Sequence, residues 1–432
     1  MEVLDSSLIL IVLLFALLGG GLWVAITLLV VGYVAISMFS GATPGFVIAT
    51  TIWGQSNNWA LTALPMFIWM GEILYRTRVS DDMFRGLAPW VSRIPGRLMH
   101  VNVFASGIFA AISGSSTATA ATIGKISLPE LEKRGYDQRL AYGSLASAGT
   151  LGILVPPSIA MIIYGFLTDV SVARLFVAGV LPSLLLVGLF SGYIAVWSLL
   201  NPGKVPKRDL RFSFKEKLYE ARRLIPVVIL IIAVLGSIYQ GIATPSEAAV
   251  VGVVGSLLIS AAYRSLSWKN FVASVYGAMI TSTMLLFILA ASSVLNVAMG
   301  YSGLPRDLAT WIGGMNLSQY ELLAVLAVLF ILMGMFIDGI SILVLTAAII
   351  IPIVEQAGID LLWFGVYLVI VIEIGLITPP VGFNLFVIQG ITKRDIVFIS
   401  RGAVPFFLLM IVAVGILMIF PEIATFLPSK VR

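Results

Sequence analysis

Gly152-Ile153-Leu154-Val155-Pro156-Pro157-Ser158 falls in the middle of a stretch, residues 140–167, that is otherwise apolar enough to cross a membrane. No uninterrupted helix runs through it. Two consecutive prolines remove two amide donors and push the residues before them out of helical geometry. In a bilayer such a break is tolerated only where protein or a polar cavity satisfies the freed backbone groups. The pattern returns 223 residues later as Gly375-Leu376-Ile377-Thr378-Pro379-Pro380-Val381. A helix broken twice at matching places points to a binding site.

The composition around these breaks is that of a polytopic helical membrane protein. Apolar residues make up 59% of the 432 and charged residues 11%, with a mean hydropathy of +1.06. Runs of spanning length recur throughout. Met1-Glu2-Val3-Leu4-Asp5 lacks the basic region of a secretory signal, so the first run is read as a retained span. The absence of cysteine excludes disulfides, thiolate metal sites and cysteine nucleophiles. One histidine, His100, leaves little room for imidazole chemistry. The net charge of +5 does not indicate nucleic acid, because the basic residues sit in segments between spans.

Taken in order, the run 8–39 is too long for one helix, and Gly19-Gly20-Gly21 divides it into two spans. A polar interval with Gln55-Ser56-Asn57-Asn58 follows, then a third span at 61–75. Over 76–97, Arg76, Arg78, Arg85, Arg93 and Arg97 alternate with Met83, Leu87, Trp90 and Val91, which predicts an interfacial arm at 80–93. Residues 101–112 are apolar, 113–117 polar, and a helix resumes to about 131. Its roughly fourteen residues cover about 21 Å, short of a core of roughly 30 Å, so the pair is read as a re-entrant hairpin with its tip at 113–117. Spans at 140–167 and 175–200 follow, and the hydrophilic segment 201–217 marks a boundary. Beyond it come spans at 224–239, 248–263 and 273–299, the last led in by an amphipathic step at 268–271. An arm at 304–312, a second hairpin tip at 338–341, the second break at 375–381 and a final span at 397–420 complete the order.

The recurrence is internal duplication. At an offset of 223, Pro129, Gly135, Gly152, Pro156, Pro157, Gly179 and Pro182 fall on Pro352, Gly358, Gly375, Pro379, Pro380, Gly402 and Pro405. At 221, Arg85, Leu87, Ala88, Trp90 and Val91 fall on Arg306, Leu308, Ala309, Trp311 and Ile312, and Gly114 meets Gly339 at 225. We divide the chain into repeats at 1–212 and 213–432. With each hairpin entering and leaving on one side, each repeat crosses five times, and an odd number inverts the second relative to the first. Placing both termini in the periplasm leaves 21 of the 26 Lys and Arg in cytoplasmic segments, eight of them between Lys204 and Arg223, as the positive-inside rule requires. The expected fold is an all-α polytopic membrane protein of two inverted-topology repeats, each with a re-entrant hairpin and a discontinuous helix. Such repeats characterise secondary transporters, whose half-helix N-termini receive anions and whose unwound carbonyls hold Na⁺.

Several segments go beyond architecture: Ala111-Ile112-Ser113-Gly114-Ser115-Ser116-Thr117-Ala118-Thr119-Ala120-Ala121-Thr122-Ile123-Gly124, Gly149-Thr150-Leu151-Gly152-Ile153-Leu154-Val155-Pro156-Pro157-Ser158, Ala243-Thr244-Pro245-Ser246-Glu247-Ala248 and Thr378-Pro379-Pro380-Val381-Gly382-Phe383-Asn384. Together they resemble the large membrane subunit of the tripartite ATP-independent periplasmic (TRAP) transporters. The resemblance implies an elevator-type, Na⁺-coupled importer of organic acids, such as a C4-dicarboxylate or a sialic acid, in a bacterial inner membrane. It implies a separate small four-helix membrane subunit and a periplasmic substrate-binding protein as partners, and no cofactor beyond Na⁺ as coupling ion. It places one Na⁺ at Ser113, Ser116, Gly152, Val155 and Pro157, and a second at Gly339, Gly375, Thr378 and Val381. Oxygen donors of this kind suit a hard cation.

Ser115, Thr117, Ser158 and Asn384 are candidate substrate contacts, with helix capping and helix–helix bonding as their structural alternatives. Asp338, at the second tip, is a further candidate, with support of the tip backbone or of a cation as its other reading. Glu72, Glu247, Glu373 and Lys125 are ionisable groups in or near spans and therefore functional candidates; a structural or interfacial role is favoured for Glu72 and Glu247. His100 marks the start of the first hairpin near the interface. Trp90 and Trp311 read as interfacial anchors, and the arm arginines as headgroup contacts and topology determinants. A membrane-embedded enzyme would require clustered His, Cys or carboxylates, and a channel would take its axis from oligomer symmetry. A binding-protein-independent Na⁺/dicarboxylate symporter of similar architecture is the closer rival.

Overall fold

The computed structural model describes residues 2–206, 212–315 and 317–430, and the side chains of all of these except 2–8, 11, 60, 80 and 309. Met1, Lys207, Arg208, Arg211 and Arg432, which enter the terminal and loop readings above, lie outside the described residues. Among the described residues every regular element is a helix. Six helices are long and apolar enough to cross a membrane, and a bent pair supplies a seventh candidate. Several shorter apolar helices lie between them.

The expected breaks are where the local chemistry puts them. Glu2–Gly19 and Val24–Phe39 part at the three glycines, Gly21 taking a φ of +81°. The first hairpin is Met99–Ser113 and Ser116–Lys133, turning through Gly114 at φ +58°. The first broken span is Gln138–Leu154 and Ile159–Thr168, bent by 41°. Gln319–Gly334 and Gly339–Gln356 make the second hairpin, and Leu361–Leu376 and Phe383–Thr392 the second broken span. The arms are Val79–Val91 and Leu304–Gly314. Val172–Leu200 and Ile396–Ile419 follow the two broken spans.

Two expectations are corrected. Part of the polar interval is a helix, Pro44–Ser56, with proline in its first turn where the missing amide leaves no bond unmade. The step at 268–271 is no separate element. It is the first turn of one 35-residue helix, Trp268–Ser302, capped by Ser267, whose hydroxyl accepts from the Asn270 amide at 3.2 Å. At 1.5 Å per residue that helix is about 52 Å long, well beyond a bilayer core of roughly 30 Å.

Packing sorts the helices into two groups. Val24–Phe39 lies along Trp268–Ser302, Ala63–Tyr75 lies along Pro245–Ala262 and Trp268–Ser302, and Ile225–Tyr239 packs on Pro245–Ala262. The hairpins, broken spans, Val172–Leu200 and Ile396–Ile419 form the second group. Inside it contact is set by small residues, because between apolar helices in lipid, close backbone approach supplies the attraction. A Cβ on Gly143 would stand 2.0 Å from the Gly402 carbonyl oxygen, and one on Gly402 would stand 2.0 Å from that of Arg139. These positions admit only glycine. Each arm lies on its own hairpin, linking the groups.

Candidate ion and solute site

The first hairpin tip and the first break meet backbone to backbone. A Cβ on Gly152 would lie 2.3 Å from the Ser115 carbonyl oxygen and 2.7 Å from the Ser116 amide nitrogen. On the other side, one on Gly114 would lie 3.3 Å from the Pro157 carbonyl oxygen. Ser113, Ser116, Gly152 and Pro157 are thereby brought to one place, with Val155 half-buried in the same break. Hydroxyls line the tip: Ser113 Oγ lies 2.7 Å from Thr119 Oγ1, which donates to the Ser115 carbonyl at 2.8 Å. Thr119 escaped the sequence reading, although it shares a helix face with Ser116 three residues before it. This set of hydroxyl and carbonyl oxygens fits a hard monovalent cation.

The residues expected around a second ion are less tightly assembled. Asp338 ends the tip by accepting from the Ile340 and Ser341 amides at 3.1 Å each, which makes it the N-cap of Gly339–Gln356. Gly375 abuts Gly334 on the preceding hairpin helix, where its Cβ would stand 2.5 Å from the Gly334 Cα. The nearest neighbours of Gly339 are side chains of Ile372, Ile153 and Leu376. Thr378 Oγ1 donates to the Ile374 carbonyl at 2.6 Å, and the amide of Gly382 reaches the Met335 carbonyl at 3.2 Å. Val381 is half-buried beside them.

Two of the candidate substrate contacts are fully buried and bonded within the protein. Asn384 accepts from Ser116 Oγ at 2.9 Å and donates to the Ala146 carbonyl at 3.0 Å, so its amide joins the first tip to both broken spans. Ser158 donates to the Ile153 carbonyl and accepts from the Met161 amide at 3.3 Å, capping the helix after the break. Ser115 and Thr117 border open space, although Ser115 also caps Ser116–Lys133, its hydroxyl accepting from the Ala118 amide at 3.4 Å. With Ser113, Glu72, Tyr75 and Thr281 they line a cavity of about 510 Å³ between the tip and the first helix group. The N-terminus of Ser116–Lys133 opens on this cavity, and a helix N-terminus favours an anion.

The remaining ionisable groups separate clearly. Glu72 pairs with Arg76 at 3.0 Å, and Lys125 donates to the Tyr75 hydroxyl at 3.1 Å. Glu247 is exposed rather than buried. Its carboxylate accepts from the Thr244 amide at 2.8 Å while its own amide donates to Thr244 Oγ1 at 3.3 Å, a capping box that accounts for Thr244-Pro245-Ser246-Glu247. Glu373 is fully buried, and neither carboxylate oxygen has a partner among the described residues. His100 is also fully buried, between Ser191 Oγ at 2.7 Å and the Pro95 carbonyl at 2.6 Å.

Residues 11–423 match the family model described as "Tripartite ATP-independent periplasmic transporter, DctM component". The chain belongs to that family. A relative in Pseudomonas aeruginosa, the C4-dicarboxylate TRAP transporter large permease protein DctM, is 34% identical over 383 residues, covering 88% of this chain and 89% of its own. The ectoine/5-hydroxyectoine TRAP transporter large permease protein UehC of Ruegeria pomeroyi is 29% identical, over 85% of this chain and 86% of its own. The crystal structure of the Alcanivorax borkumensis YdaH transporter has the same overall fold, with a TM-score of 0.68 at 13% identity over 93% of this chain and 98% of that one. The protein is thus a multi-pass TRAP transporter large permease and not an enzyme.

Proposed function

We propose that this permease imports an organic acid by Na⁺ symport, receiving it from a periplasmic binding protein and moving it by an elevator displacement. The observation that carries the proposal is the closed contact between the first tip and the first break. Backbone of Ser115 and Ser116 meets Gly152 there and Gly114 meets Pro157, beside a cavity lined by Ser113, Ser115 and Thr117, which supports Ser113, Ser116, Gly152, Val155 and Pro157 as the ligand set. Na⁺ bound between tip and break holds the N-terminus of Ser116–Lys133 in place, and that helix end then receives the carboxylate. Gly339, Gly375, Thr378 and Val381 form the second ion site once the second tip closes on its own break.

The two helix groups supply the moving and static parts. Inverted repeats at 1–212 and 213–432 place both breaks in one bundle, which shifts as a body while the arms follow. The recurrence of arm-on-hairpin and hairpin-on-break packing in both halves supports this division. Both termini lie in the periplasm by the distribution of Lys and Arg. The family description is of a tripartite system, which supports a separate small membrane subunit and a binding protein as partners. Relatives are named for a C4-dicarboxylate and for ectoine, so the solute varies among large permeases of this family, and the binding protein is the partner expected to set it.

The test is uptake by the reconstituted complex with and without an inward Na⁺ gradient and with and without the binding protein. Uptake is expected to require both, and Na⁺-indifferent uptake would refute the coupling. Ser116→Ala and Thr378→Ala are each expected to raise the Na⁺ concentration for half-maximal uptake by about tenfold, the effect of losing one ligand worth about 1.4 kcal/mol.

A further inference from the structure

We propose that the loop between the first arm and the first hairpin, together with the end of Val172–Leu200, forms a binding site for the phosphate headgroup of an anionic phospholipid. A cavity of about 530 Å³ lies there, distinct from the solute cavity, and its walls include Arg93, Arg97, Ser198, Leu199, Val205 and Pro206. No carboxylate is among its described lining residues, and neither arginine is ion-paired with a described carboxylate. Among the described residues the lining is therefore net cationic.

Three features indicate that the site is built for a ligand. Arg97 is held at a φ of +48° and donates to the Pro206 carbonyl, which places its guanidinium at the wall with no other hydrogen bond to a described residue. Gly96, at φ +97°, brings the loop against the helix so closely that a Cβ would stand 3.0 Å from Ser198 Oγ. That hydroxyl is buried with no hydrogen-bond partner among the described residues, on a residue that borders the cavity. A buried orphan hydroxyl is costly unless something completes it. Forked guanidinium donors suit a phosphate, the group proposed to complete that hydroxyl on entering the cavity.

A lipid fits better than free phosphate for two reasons. The cavity is several times the size of a phosphate ion, and its rim carries Leu199, 67% exposed at the end of a spanning helix, where an acyl chain would lie. Lys204, with its ammonium 5.7 Å from the Trp197 ring centroid, adds a cation beside the same wall. The site joins the arm to the bundle, so an occupied site would tether the first hairpin's base to the membrane surface.

The test uses the full chain in neutral detergent, titrated with phosphatidylglycerol, phosphatidylcholine or inorganic phosphate and read by native mass spectrometry and thermal shift. One phosphatidylglycerol is expected to remain bound under conditions that strip phosphatidylcholine. The Arg93→Gln/Arg97→Gln double variant is expected to weaken it by about tenfold or more, and Ser198→Ala by less. The Arg93→Lys variant, which keeps the charge, is expected to retain binding and guards against a folding defect. Equal binding of the two lipids, or unchanged phosphatidylglycerol affinity in a folded double variant, would overturn the site. Displacement of phosphatidylglycerol by low-millimolar phosphate would overturn its assignment to a lipid.

Discussion

The two broken spans carry the same motif in different surroundings. At the first, Pro156 and Pro157 are buried and Gly152 touches the backbone of the hairpin tip itself. At the second, Pro379 and Pro380 are exposed and Gly375 touches Gly334, on the hairpin helix before the turn. The turns explain part of this. Gly114 reverses the chain within two residues, so that Ser115 and Ser116 are pressed into the break. The second turn takes residues 335–338 and ends in a capping aspartate, whose carboxylate is occupied by its own helix. A repeated motif thus specifies where a helix stops, and its partner hairpin specifies whether the stop is sealed.

Substitutions at the paired glycines give the sharpest test. Gly152→Ala is expected to cost about 3 kcal/mol and Gly375→Ala about 2 kcal/mol, because the first new methyl would stand 2.3 Å from the Ser115 carbonyl oxygen and the second 2.5 Å from the Gly334 Cα. Thermal unfolding in detergent measures both, and equal costs would break the distinction. Next in size is Asn384→Ala, which strands Ser116 and the Ala146 carbonyl in the interior and should cost about 2 kcal/mol by the same measurement. A loss under about 0.5 kcal/mol would show that the bridge is dispensable.

Exposure can be read directly, since the chain has no cysteine of its own. Single variants Ser158→Cys and Val381→Cys are expected to differ about tenfold in their rate of modification by a water-soluble maleimide, the second faster. Similar rates would mean that the first break opens as readily as the second. The smallest effects are expected at the caps. Asp338→Ala and Ser158→Ala should each cost about 1 kcal/mol of stability. If Asp338→Ala instead abolishes uptake while leaving stability intact, the carboxylate acts on a ligand and not only on its helix.

Positions whose chemistry is local were legible in the chain. Paired prolines stop helices, Gly114 and Gly21 permit left-handed turns, and an apolar stripe beside polar residues makes the arms, all without reference to distant residues. The capping box is equally local: Glu247 stands three residues after Thr244, the spacing at which each satisfies the other's amide. The helix at Pro44–Ser56 had only its proline to announce it, and weak periodicity hid the rest.

Roles that depend on what lies opposite were not legible. Nothing about Asn384 alone separates a substrate contact from a bridge between Ser116 and Ala146, residues 268 and 238 positions away. Nothing about Gly334 marks it as the neighbour of Gly375. Alone, the sequence determined a membrane protein of repeated helices with two designed interruptions, because apolar length, proline and glycine act on the chain where they stand. Tertiary structure decided which interruption is sealed, which candidate hydroxyls border open space and which are enclosed. Those outcomes depend on backbone approaches of a few ångströms between segments far apart in the chain, and local residue chemistry does not encode such distances.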